Sequence, residues 1–418
     1  MAKITKIVGR QVFDSRGNPT VEAEIFLKNK IRASAIVPSG ASTGAFEAFE
    51  LRDNKKNYFL GKSVLTAVKN INTTINKKLK NLDSGKQKNI DKILLELDGT
   101  KNKSKLGANA LLAVSLAVSK AEAISKNKEL YQHLGKKFIL PSPLMNIING
   151  GAHADNNLRI QEFMIRPDSA KNFMDAIEKC FLVIQNLKKI LQSKKLLTNV
   201  GDEGGFAPSI NSNEEALNLI VDAIEMSKLK PGTDINICLD VAANELINKN
   251  GDYSLNSSRF ISVEESINYY KNLVSKFPIK SIEDPFAEED WSAWSALTKE
   301  IGKKIQIVGD DLFATNVDRL KKGIKEKSAN SILVKVNQIG TLTETLDVIE
   351  LAKKNNFGTI ISHRSGDTED TFIADLAVAT CSTQIKTGSL ARSERVAKYN
   401  RLLRIEEQLG KSSKIARI

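Results

Sequence analysis

Cysteine is scarce: the 418-residue chain has three, Cys180, Cys238 and Cys381, far apart and without a CxxC pair. That pattern excludes a disulfide framework and predicts reduced thiols in a cytoplasmic protein. Aromatic residues make up only 6%, and no RNA-binding aromatic motif occurs. The opening MAKITKIVGR lacks the apolar segment of a secretory signal. No uninterrupted apolar run is long enough to span a bilayer, so no membrane partner is expected. Acidic residues are in deficit, 49 Asp and Glu against 62 Lys and Arg, for a net charge of +13. The lysines are scattered (KKNYF, NKKLK, LKKI) and interleaved with Asn and Ile, so nucleic acid is not expected as the primary partner. What remains is a soluble composition, 41% hydrophobic and 27% charged. The length calls for two domains, or one large barrel with an added domain.

Residues 1–60 read as three strands, "KITKIVGRQVF", "TVEAEIFL" and "IRASAIV", with a turn at "DSRGNP". From about Lys62 to His133 the apolar period is helical, most clearly in "GANALLAVSLAVSKAEAISKNKELYQHLG". Strands followed by helices predict an α+β domain over residues 1–135. "LPSPL" marks a boundary, and residues 140–418 form the second domain. There short apolar runs end in polar residues and lead into helical stretches. The ends are Asp240, Glu283, Asp310, Lys335, His363 and Lys386. They step along the chain at roughly the 25–30 residues that a strand, a helix and two loops require, with one longer unit at the start. This is the pattern of a (β/α) barrel, whose C-terminal strand ends face the active site.

Lys335 sits inside an apolar run, "SILVKVNQIG", where a charged side chain is unusual unless paired or working. Asp240, Glu283 and Asp310 on neighbouring strand ends would repel one another unless a cation lay between them. Oxygen ligands select a hard ion, Mg²⁺ or Mn²⁺ before Zn²⁺. The alternative is that some of them pair with Lys335 or Lys386. Beside a divalent cation and buried, Lys335 is expected to have a lowered pKa and to accept a proton from carbon. The adjacent Asp284 and Asp311 are expected to be aimed elsewhere by strand alternation. "NVGDEGGFAP" offers Glu203 as a general acid or as part of an ordinary acidic turn. Arg364 and Ser365 in "ISHRSG" suit a phosphate, and Lys386 suits a second anionic group.

Long stretches then carry a resemblance. "DSRGNPTVE", "VPSGASTG", "FELRD", "MNIINGGAHADN", "IQEFMI", "GDEGGFAP", "SIEDPF", "VGDDLFATN", "ILVKVNQIGTLTET", "ISHRSGDTED" and "RVAKYNRLLRIEE" resemble the enolase family, almost end to end. The resemblance implies an atypical TIM-type barrel, ββαα(βα)₆, behind an α+β cap with a mobile loop at 39–44. It implies a glycolytic lyase that dehydrates 2-phosphoglycerate to phosphoenolpyruvate, reversibly and with two Mg²⁺. Lys335 matches the catalytic base and Glu203 the general acid, with Glu162 and His363 also catalytic. Asp240, Glu283 and Asp310 match the first metal's ligands, the latter two also contacting substrate. Ser42 matches a ligand of the second. Gln161, Glu162 and His153 match residues around the leaving hydroxyl, Arg364 and Ser365 the phosphate contacts, and Lys386 the carboxylate contact.

The family further implies a homodimer, with octamers in some bacteria, in the cytoplasm with a secondary surface or secreted fraction in some members. One departure is "DVAANEL", where Asn244 and Leu246 replace Ser and Phe. A racemase or cycloisomerase on the same barrel would not predict "SGASTG", "GDEGG" and "SHRSG" together. A non-catalytic basic protein binding RNA or a host surface predicts loss of Lys335, Glu203 or a ligand. None is lost, so such a role could only be additional.

Overall fold

Period-two burial builds the first layer. In β2 (Pro19–Leu27) Val21, Ala23, Ile25 and Leu27 all face inward. It pairs antiparallel with β1 (Ile4–Phe13) on one side and β3 (Arg32–Ile36) on the other. A computed structural model describes residues 2–40, 44–256 and 259–418. Ser42 and half of the expected mobile loop, residues 41–43, lie outside the described residues.

Helix Ala108–Ser125 covers the sheet, packing on β2 and β3. Its sequence is apolar almost all round, and such a helix needs a buried site. Against expectation, this 18-residue helix has the length and composition of a membrane span, but it is 83% buried inside the protein. The helical reading of residues 107–135 breaks once, at Lys126–Glu129, where Asn127 takes a left-handed backbone, and resumes at Leu130–Leu134.

Eight strands then close a barrel in chain order: β4 (Ser142–Asn149), β5 (Glu162–Arg166), β6 (Asn236–Asp240), β7 (Ile279–Glu283), β8 (Gln306–Gly309), β9 (Ser331–Val334), β10 (Gly358–Ser362) and β11 (Gln384–Lys386). β5 runs antiparallel to both β4 and β6, and every other pairing is parallel. Two helices, Phe173–Ser193 and Asn213–Met226, follow β5 before the alternation begins, which is the ββαα(βα)₆ order. "LPSPL" runs directly into β4. Leu144, Met164, Cys238, Val308, Leu333 and Ile360 fill one apolar layer inside the barrel. At its floor Arg166 forks onto both oxygens of Asp168, at 2.6 and 2.8 Å, and reaches Gln306 at 2.7 Å.

The cap docks on the barrel through buried polar contacts. The Asp91 carboxylate accepts from the Thr343 amide at 3.0 Å, the Ser115 hydroxyl at 2.7 Å and Gln87 at 3.0 Å. Ser115 in turn accepts from the Leu342 amide at 3.0 Å. Lys103–Glu344 (2.8 Å) and Lys120–Asp370 (2.6 Å) flank it. Losing the Asp91 carboxylate strands several buried donors at once. Asp91→Ala is therefore expected to cost about 2–4 kcal/mol of stability in urea titration; a loss below about 0.5 kcal/mol would contradict this role.

Candidate active site

The expected residues meet at the C-terminal mouth of the barrel. One pocket is lined by His153, Gln161, Glu162, Glu203, Asp240, Asp310, Lys335, His363, Arg364, Ser365 and Lys386. Glu283 joins them through Lys386. Each is buried except Lys335 and His153, which are partly so. Asp240, Glu283 and Lys386 are the last residues of their strands, while Asp310, Lys335 and His363 lie one residue beyond theirs.

Charge decides the geometry. Lys386 Nζ lies 2.8 Å from Asp240, 2.8 Å from Glu283 and 3.2 Å from Glu162. Lys335 pairs with Asp310. The pairing of carboxylates with lysines is thus the arrangement seen. Asp240 and Glu283 share the Lys386 ammonium and Asp310 faces Lys335, so each expected ligand accepts from a lysine whose charge offsets the carboxylate repulsion. Among the described residues, two groups have ligand atoms within 4.8 Å of one another, His153–Glu162–Glu203 and Asp284–Asp310–Asp311.

The pKa directions follow. Burial and Asp240 push Glu283 well above the carboxylate range. Burial lowers Lys386, but Asp240, Glu162 and Glu283 outweigh it and hold it well above the usual lysine value. For Lys335 burial lowers the pKa, but the Asp310 carboxylate beside it reverses the sign, and the net shift is upward; the lowered value was expected beside a divalent cation.

Asp284 and Asp311 also line the pocket, contrary to the alternation argument. Both lie past the ends of β7 and β8, where alternation no longer applies, and Asp284 has a left-handed backbone (φ 43°). Asp284 accepts from the amides of Asp310 and Asp311, each at 2.9 Å. Burial and Asp310 push Asp311 up to about 7.

Opposing carboxyls surround His153. Its Nδ1 lies 3.7 Å from Glu162 and 3.8 Å from Glu203. Burial and the Glu203 charge push Glu162 well above its ordinary value. Burial would raise Glu203 too, but His363, His153 and Arg395 hold it well below. The two shifts run in opposite directions, so Glu162 is the more readily protonated of the pair. Glu203 accepts from Asn146 at 3.3 Å and faces His363 Nε2 at 3.4 Å. Arg364 is gripped by Glu47 at 2.7 and 3.2 Å and by Asn337 at 3.2 Å.

Five residues at this site escaped the sequence reading. Glu47 and Arg395 sit beside or within matched stretches ("FELRD", "RVAKYN"), which was the available signal. Asp284 and Asp311 were set aside by the alternation argument. Asn244, noted only as a departure, donates to Asp311 at 2.9 Å and accepts from the Glu288 amide at 2.9 Å.

Two family models match in tandem: Enolase, N-terminal domain, over residues 4–134, and Enolase, C-terminal TIM barrel domain, over residues 137–417. A curated relative, the enolase of Pelagibacter ubique (strain HTCC1062), is 62% identical over 420 residues, covering 100% of both chains. The chain belongs to the enolase family. An enolase is a lyase, phosphopyruvate hydratase, acting in glycolysis, and the expected family, barrel with N-terminal cap and activity are borne out. Enolases are metal-dependent, and the acidic clusters here could hold an ion.

His363 gives this enolase a pH signature. Burial, with the Arg395 charge, pushes its pKa down to about 4, against about 6.5 in the unfolded chain. Between those values the unfolded chain binds the extra proton, so stability falls as pH drops from 6.5 towards 4. The expected contribution is about 1 kcal/mol per pH unit in that window. Urea titrations from pH 7 to 4 should show a flatter slope for His363→Gln; parallel slopes would contradict a neutral buried imidazole.

Proposed function

We propose that Lys335 removes the C2 proton of 2-phosphoglycerate and that the Glu162–Glu203 pair, in which Glu162 is the more readily protonated, delivers its proton through Glu203 to the departing C3 hydroxyl. The C2–H and C3–O bonds break, C2=C3 forms, and water leaves. The observation that carries this reading is one pocket lined by a partly buried lysine just past β9 and by two glutamates, Glu162 on β5 and Glu203 in the loop between helices Phe173–Ser193 and Asn213–Met226, both facing His153.

Lys335 must be neutral to act as a base, so Asp310 must give up its pairing with it. Arg364 and Ser365 receive the phosphate, and Lys386 the carboxylate. Gln161, beside Asp240 at 3.4 Å, and His153 border the leaving hydroxyl. The donor set is all oxygen, and Glu162 Oε2 is buried with no hydrogen-bond partner, which fits a site built to receive a charged ligand. Two Mg²⁺, one held by Asp240, Glu283 and Asp310 and one by Ser42 with the substrate, would supply the positive charge a carboxylate needs while its α-carbon loses a proton.

Ultraviolet absorbance tests the assignment, because the enol product absorbs where 2-phosphoglycerate does not. A rise is expected with Mg²⁺, none with excess chelator, and a loss of at least ~10³-fold in kcat for Lys335→Ala. Near-wild-type kcat in that variant would overturn the role of Lys335.

We further propose a cytoplasmic homodimer, with an octamer the alternative. Exposed Phe13, Tyr58, Phe59 and Leu60 support self-association, the Phe13 and Phe59 rings lying 5.8 Å apart. Sedimentation velocity is expected to show a dimer that Phe13→Glu weakens; a wild-type monomer at tens of micromolar would refute it. Neither the structure nor the relative supports the additional basic binding role.

A further inference from the structure

Arg395 is fully buried, and the two terminal nitrogens of its guanidinium reach two loops of the site. It donates to the carbonyls of Arg364, Ser365 (2.6 Å) and Asp202 (3.2 Å), and it meets Nδ1 of His363. Nearby charges are Asp367 at 3.9 Å and Glu394 at 3.4 Å. The backbone makes room for it at Gly388 (φ +74°). A Cβ there would come within 2.5 Å of the Glu203 carbonyl and 2.9 Å of Arg395 Cδ. The next residue, Ser389, donates its amide to that same carbonyl at 2.9 Å. One arginine thus spans the loop bearing Glu203 and the loop bearing His363.

A guanidinium can only donate. The nitrogen it meets must present a lone pair, so the single proton of a neutral imidazole belongs on the other nitrogen. That nitrogen, Nε2, is the one 3.4 Å from Glu203. We propose that Arg395 is a positioning residue: it confines the ring proton of His363 to Nε2 and thereby orients the Glu203 carboxyl that serves as the acid. The catalytic half of this inference rests on the acid role given to Glu203 above; the tautomer half stands alone.

The test uses full-length protein with Mg²⁺, labelled with ¹⁵N-histidine. The chain has only three histidines, so His363 is assigned by single substitutions at His133 and His153. Long-range ¹H–¹⁵N correlation is expected to show His363 protonated at Nε2 and bare at Nδ1. Arg395→Met should give a mixture of tautomers, with kcat down ~10–100-fold and KM changed far less. Arg395→Lys, still an obligate donor, should keep the tautomer and part of the rate. A proton on Nδ1 in the wild type overturns the proposal, as does Arg395→Met with an unchanged tautomer. If Arg395→Met does not fold, the wild-type tautomer and Arg395→Lys decide. Wild-type kcat in Glu203→Gln would remove the acid role and leave the tautomer result intact.

Discussion

Buried negative charge at the barrel mouth is the constraint on which the rest of the site depends. Two like charges about 4 Å apart repel by roughly 4 kcal/mol at an effective dielectric of 20. Asp240, Glu283 and Glu162 all crowd one lysine, so a single cation cannot balance them, and Glu283 and Glu162 are driven towards their protonated forms. The same balance sets the state of Lys335, which stays charged because Asp310 is its partner. A base is ready only when it is neutral. Asp310 therefore couples the readiness of the base to whatever else claims that carboxylate.

The cap matters to this balance through a few named links. Glu47 grips Arg364, and its Oε1 also accepts from the Gly44 amide at 3.2 Å. Ser39 exchanges amide hydrogen bonds with Gly366, at 2.7 and 2.9 Å. Both described flanks of the segment bearing Ser42 are thus pinned to the stretch carrying Arg364 and Ser365. The deeper clamp at Asp91 holds the helix Leu342–Lys354, which packs on β9, the strand that leads into Lys335.

Much of this was legible in the sequence, because strand ends in a parallel barrel follow a simple spacing. Asp240, Glu283, Asp310, Lys335, His363 and Lys386 all came from that rule. β4 and β5 did not: they break the βα rhythm by pairing antiparallel, and only family resemblance supplied them. Asp284 and Asp311 were misread because alternation was extended past the strand ends. Which carboxylate pairs with Lys335 was left open, because it depends on a partner across the pocket, which no local pattern reports. Arg395 lay in a helical stretch where a basic residue is ordinarily solvated. Asn244 had a further reason to be overlooked. Its amide both donates and accepts, linking Asp311 to Glu288, and that value appears only when both partners are in place.

The charge census separates the barrel's two ends. The floor carries a closed pair, Arg166 with Asp168, which asks for no outside ion. The pocket at the mouth is lined by six carboxylates, Glu162, Glu203, Asp240, Asp284, Asp310 and Asp311, against three cations, Lys335, Arg364 and Lys386. This acid excess lies in a chain whose net charge is +13, so it does not reflect overall composition. Uncompensated buried carboxylates cost stability by several kcal/mol each. With 62 basic residues in the chain and only three of them at this pocket, the missing positive charge is the kind that arrives with a ligand.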